Sequence, residues 1–226
     1  MKAGHFSVSP SRSRKGTRFV IGLVALLVIA GFCWIFPPFH LRSLAQVRAA
    51  KASLQFNAPD FVDKFWNEQL LKSLDRAAEA GKVLAAIAAG PQKAREQFGR
   101  SVGISSSYYF FLRGSGRVVS VNDTGIGLSL KTEGHDVDVL VPLGLVFGNA
   151  VRDGTGLLDS STFPNSQEFN DISAALNHIV ETQVLPELQR LAAPGKRVQF
   201  AGCVEVSDED RDLKPLKLVP ISMQAE

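Results

Sequence analysis

Between Phe19 and Phe36 the chain carries no charged residue, and Leu, Val, Ile, Ala and Phe dominate the run FVIGLVALLVIAGFCWIF. At 1.5 Å per residue a helix of that length spans roughly 27 Å, close to the hydrocarbon thickness of a bilayer. Such a run either stays in the membrane or is cut away as an export signal, and both outcomes place the bulk of the chain outside the cytoplasm. A buried core helix is the competing reading, set against an uninterrupted run that follows the polar stretch SVSPSRSRKGT. Lys2, Arg12, Arg14, Lys15 and Arg18 precede the run and Arg42, Arg48 and Lys51 follow it. That excess predicts an N-terminus inside and a C-terminus outside. The resulting plan is a basic cytoplasmic tail over 1–17, an anchor or lipoprotein-like signal over 18–37, a juxtamembrane connector over 38–56 and an extracytoplasmic domain over 57–226.

The formal charge of +3 hides an asymmetry. Every acidic residue lies at or after Asp60, so residues 60–226 hold 17 basic against 22 acidic side chains, a net of −5. Nucleic-acid affinity rests on Lys and Arg displacing counterions from phosphates, so an acidic domain argues against that partner class. The two cysteines, Cys33 in the apolar run and Cys203 far downstream, support neither a disulfide framework nor a zinc site.

Asn57, Pro59 and Asp60 form a helix start, and Phe61, Phe65, Trp66, Leu70 and Leu74 then recur at helical spacing. GKVLAAIAAG and PQKAREQFG read as two further short helices, ended by Gly90-Pro91 and Gly99. After Gly103 the period changes from helical to alternating. SYYFFLRG, GRVVSVND, GIGLSLKT and DVDVLVPLG read as four strands, with LVFGNAVRDG as a fifth or as an extension. A long helix follows over PNSQEFNDISAALNHIVETQVLPELQRLA, with Asn165 and Glu168 as a capping pair and Pro186 expected to kink it or start a new turn. KRVQFAGCVEV and LKPLKLVPIS close the series around the acidic turn SDEDRD.

The predicted class is therefore α+β. A short helical lead precedes an OB-like antiparallel β-barrel or sheet, with one long helix inserted before the last two strands. A generic sheet with helices on one face explains the same order.

No Gly-x-Ser-x-Gly, His-Glu-x-x-His or Walker sequence is present, so a nucleophilic or zinc enzyme has little support and no cofactor is expected. Asp136 and Asp138 share one strand face near Glu133, but calcium needs more oxygen ligands than these supply, and a solvated hairpin end explains them better. The densest unusual stretch is FGNAVRDGTG. On a strand, neighbours point to opposite faces, so Arg152 and Asp153 should not pair, and one should face inward or line a cleft. The alternative is that Arg152 ties down LLDSSTFPNSQEF through hydrogen bonds. Arg152 and Asp153, with Asn165, Gln167 and Asn177 along the long helix, form the candidate ligand-binding surface.

Taken in order, the apolar segment ending in Cys33 and WIFP, the FVDKFW helix, QFGRSVG, FLRGSGRVVSV, and GNAVRDG followed by FPNSQEFNDISAALN resemble the predicted periplasmic lipoproteins of the domain-of-unknown-function family 2291. The resemblance runs from about Gly31 onward. It implies a bacterial envelope protein whose genes lie beside those of sugar-importing ABC transporters, and no established activity. Gly148, Arg152, Asp153, Gln167, Phe169 and Asn177 match the pattern and bring no known role. Cys33 stands where related proteins carry a lipid. Lipoprotein signal peptidase needs a small residue just before that cysteine and usually a Leu three before it, whereas Phe32 and Ala30 stand here.

The expected protein is thus non-enzymatic: a single-pass inner-membrane anchor carrying a periplasmic binding or accessory domain. Its expected partners are the membrane and either a small carbohydrate or components of a sugar ABC transporter. The alternatives are an envelope assembly factor acting through protein contacts and a carbohydrate-active enzyme.

Overall fold

The computed structural model describes residues 56–226, Ile104 excepted. The tail, the anchor with Cys33 and the connector lie outside the described residues. Among the described residues no helix is long and apolar enough to cross a membrane.

Helix α1 (Ala58–Phe65) begins where the sequence places it: the Asn57 side chain accepts the Asp60 N–H, and Pro59 sits in the first turn. It continues through a wide π turn, Trp66–Leu70, and a 3-10 turn, Leu71–Arg76. The short strand β1 (Ala78–Glu79), helix α2 (Ala80–Ala89), helix α3 (Pro91–Phe98) and strand β2 (Arg100–Ser101) complete the helical lead.

Strand β3 (Tyr108–Asn122) is a single strand of 15 residues, which corrects the two-strand reading of SYYFFLRG and GRVVSVND. Gly114-Ser115-Gly116 is not a turn. It is the middle of a strand that pairs with β6 (Arg197–Val206) along one edge and, from Arg117 onward, with β4 (Gly125–Ser129) along the other. Glycine suits that place because a Cβ on Gly114 would sit 3.1 Å from Cζ of Phe200.

Strand β5 (Val139–Pro142) pairs with β4, and β7 (Leu216–Ala225) lies between β5 and β6. The order β3-β4-β5-β7-β6 returns to β3, so five strands close a barrel. The sheet is mixed rather than purely antiparallel, because β5–β7 and β1–β3 are parallel pairs. Phe110, Val204 and Leu218 share one face by register, as do Val118, Leu128 and Val139, and these buried side chains fill the interior.

LVFGNAVRDG is not a strand. Gly148 (φ +87°) turns the chain, and helix α4 (Ala150–Gly154) follows, its Asp153 N–H donating to the Asn149 carbonyl at 2.8 Å. Helix α5 (Ser166–Ile179) opens on the expected Asn165 cap. It passes through a π turn, Val180–Val184, into α6 (Leu185–Leu191); the widened turn accommodates Pro186, which has no N–H to donate. The short helix α7 (Glu209–Asp212) occupies the acidic turn between β6 and β7. Helix α5 packs on α1 through Phe56, Phe61, Phe163 and Phe169, whose ring centroids lie 5.3–6.0 Å apart.

Candidate functional site

Arg152 and Asp153, predicted to diverge, point at each other. On a helix successive residues stand about 100° apart around the axis rather than 180° as on a strand, and the long Arg152 side chain closes that angle: its Nε donates to Asp153 Oδ1 at 2.7 Å and its Nη2 to Oδ2 at 3.0 Å. Both side chains are less than one-tenth exposed. Arg152 also donates to the Phe169 carbonyl at 3.1 Å and to Asn170 Oδ1 at 3.3 Å, and its guanidinium lies 3.9 Å from the Phe169 ring centroid. The pair fastens α4 to α5. Gly154 permits the approach to the barrel wall, since a Cβ there would stand 2.9 Å from Cys203 Sγ. Burial pushes the Cys203 thiol far up, which suits a packed core residue rather than a nucleophile. Tyr109, on the same outer face, is also driven up by burial and by the Glu205 carboxylate.

The other three candidates do not converge on this pair. Asn165 caps α5, its Oδ1 accepting the Glu168 N–H at 2.9 Å. Gln167 is exposed and donates to Asp171 at 2.8 Å. Asn177, toward the other end of α5, donates to the Gly148 carbonyl at 3.0 Å and so holds the loop before α4. Replacing Asn165 by Ala is expected to cost about 1 kcal/mol of stability by chemical denaturation, with no loss of binding at the groove described next.

That groove, of about 590 Å³, lies where the helical lead meets the open part of the barrel wall. On the outer edge of β3, pairing with β1 ends at Arg113 and pairing with β4 begins at Arg117. Between them Gly114, Ser115 and Gly116 face no strand on that edge, and Ala80 and Leu130 flank the gap. The sheet face beside the gap presents Arg113, Ser115, Gln199, Ser222 and Gln224, with Asp75 and Glu79 at the rim. Ser115 is engaged with Glu226 and Arg197. Among the described residues, the side chains of Arg113, Gln199, Ser222 and Gln224 make no hydrogen bond, leaving a guanidinium, two amides and a hydroxyl available to a ligand.

A second groove, of about 630 Å³, lies beside the first along α2, and Gly81 and Leu130 line both. Its walls are chiefly apolar: Leu84, Ala85 and Ala88 from α2, opposite Val137, Leu213 and Pro215. Neither groove is lined by any of the five residues singled out from sequence. Among the described residues no cluster of His, Cys, Asp and Glu has the arrangement of a metal site.

The barrel is similar to the crystal structure of an OB-fold protein from Thermotoga maritima, with a TM-score of 0.67 at 22% identity. The match covers 76% of this chain and 99% of that one. Phe56–Glu226 forms a compact unit of the chain. At that identity the likeness speaks for the fold alone. No curated protein matches the chain. The model of a family described as predicted periplasmic lipoproteins (DUF2291) matches residues 23–224, and the chain belongs to that family.

Proposed function

We propose that the protein is a membrane-tethered accessory component of carbohydrate uptake whose barrel groove holds a small polyhydroxylated ligand. The tether is the apolar run, retained as a single-pass inner-membrane anchor with its N-terminus inside. The observation that carries this reading is the set of unengaged hydrogen-bonding groups beside the glycine gap: Arg113, Gln199, Ser222 and Gln224. Sugar hydroxyls both donate and accept, and side-chain amides offer both in return, while a guanidinium fork can hold two neighbouring hydroxyl oxygens. A groove of about 590 Å³ is in the range of small-molecule sites. The protein acts as a binder in this reading, with no catalytic role.

The test is a thermal-shift and calorimetric screen of residues 56–226 against mono- and disaccharides. A bound sugar raises the melting temperature by mass action. The double variant Arg113→Ala, Gln199→Ala is expected to weaken binding at least tenfold while leaving the melting temperature of the free domain within a degree or two. Both residues lie on an open face and make no side-chain hydrogen bond among the described residues.

A second reading has its own observation. Leu145 and Phe147 are 75% and 79% exposed on a loop bounded by Gly144 and Gly148, and that loop is held by the Val146 N–H donating to Glu181 at 2.6 Å. Two large apolar side chains presented so firmly suit contact with a protein partner, as an envelope assembly factor requires. Failure of every sugar to protect the domain would favour this reading.

A further inference from the structure

The two grooves along α2 differ in chemistry and lie side by side, with Gly81 and Leu130 lining both. The first compartment offers unengaged amide, hydroxyl and guanidinium groups around Gln199 and Arg113. The second offers Leu84, Ala85 and Ala88 on one side with Val137, Leu213 and Pro215 on the other. Its charged groups are Lys131, Asp136, Asp138 and Lys214, of which Lys131 pairs with Asp136 at 3.4 Å and Asp138 accepts the Leu130 N–H at 2.8 Å. At Gly81, on the border of the two, an added Cβ would meet no atom within 4 Å.

We infer that the natural ligand is an amphiphile, a polyhydroxylated head seated beside Gln199 and Gln224 with a hydrocarbon arm lying along α2 against Ala85 and Ala88. This rests on the groove reading above and adds the second half of the ligand. An apolar arm gains free energy in proportion to the surface it takes out of water, whereas a second sugar unit would gain little from a wall of Leu, Ala, Val and Pro.

The probe is a ladder of alkyl glucosides and alkyl maltosides, from methyl to octyl, titrated below the micelle-forming concentration into residues 56–226. Affinity is expected to rise about fourfold for each methylene that enters the second compartment, the equivalent of burying one CH2, and then to level off. Ala85→Trp, placed on the exposed face of α2, fills that compartment and should abolish the dependence on chain length while leaving methyl glycoside binding unchanged. A flat ladder overturns the amphiphile inference. So does a gain that survives in Ala85→Trp, or a ladder of glucose oligomers that gains with length where alkyl chains do not. Absence of binding by every head, alkylated or not, instead removes the groove reading on which the inference rests.

Discussion

Replacing Asp153 by Ala is expected to lower the unfolding free energy of residues 56–226 by about 3–5 kcal/mol in urea denaturation. The guanidinium of Arg152 would stay buried between α4 and α5 after losing both of its charge-assisted bonds, at 2.7 and 3.0 Å. The Phe169 carbonyl and Asn170 Oδ1 cannot replace the missing negative charge. The cost is thus chiefly that of an unpaired buried cation, which a companion variant isolates. Arg152→Met combined with Asp153→Leu removes both charges and keeps apolar volume, so it should recover most of the loss. A loss below about 1 kcal/mol in the single variant would mean that water reaches the pair, as it does at exposed ion pairs.

Gly202→Ala should be nearly as damaging, at about 3 kcal/mol, for a steric reason. The β6–β7 register shifts between Ala201 and Gly202, and there a Cβ would stand 2.3 Å from the Val219 carbonyl oxygen and 2.9 Å from Cα of Pro220. These are backbone atoms of the neighbouring strand, so no rotamer change relieves the clash. The strands that close the barrel must separate. Gly81→Ala supplies the contrast within one chain, because its Cβ meets open space on a helix, where Ala is preferred over Gly by about 1 kcal/mol. Equal effects of the two substitutions would contradict the register described for β6 and β7.

Local signals in the sequence were legible. The Asn57 and Asn165 caps and the Gly90-Pro91 break each depend on a few neighbouring residues, and each lies at the end of a helix. The change of period after Gly103 marked the entry into strands. Helix α4 escaped because its five residues are too few to show a period, and because the mostly apolar run LVFGNAV suits a strand equally well. The join of two segments into β3 escaped for the opposite reason. Glycines that usually mark a turn here occupy a strand whose partners lie far away in sequence.

The groove was harder still, since its walls come from the 3-10 turn Leu71–Arg76, β1, α2, β3, β6 and β7. Of the residues chosen for the site, Arg152 and Asp153 tie α4 to α5, Asn165 caps α5, Asn177 holds the loop before α4 and Gln167 bonds within α5. One signal was present: Ser222 and Gln224 alternate with Ile221 and Met223, and Gln199 stands between Val198 and Phe200, so polar groups recur on one face of strands whose other face is buried. Alternation of that kind shows which face is wet, and only the pairing of distant strands shows that the wet faces meet.

Strand β3 also sets a schedule for an exported chain. It must zip along β6, with Tyr108 opposite Val206, so the two sides of one seam leave the membrane about a hundred residues apart. Until β6 arrives, the Tyr108–Leu112 stretch has an unpaired edge and an uncovered apolar face. An unpaired edge beside an uncovered apolar face is what invites aggregation or a chaperone's grip, so the delay between the two halves of the seam is the chain's exposed interval.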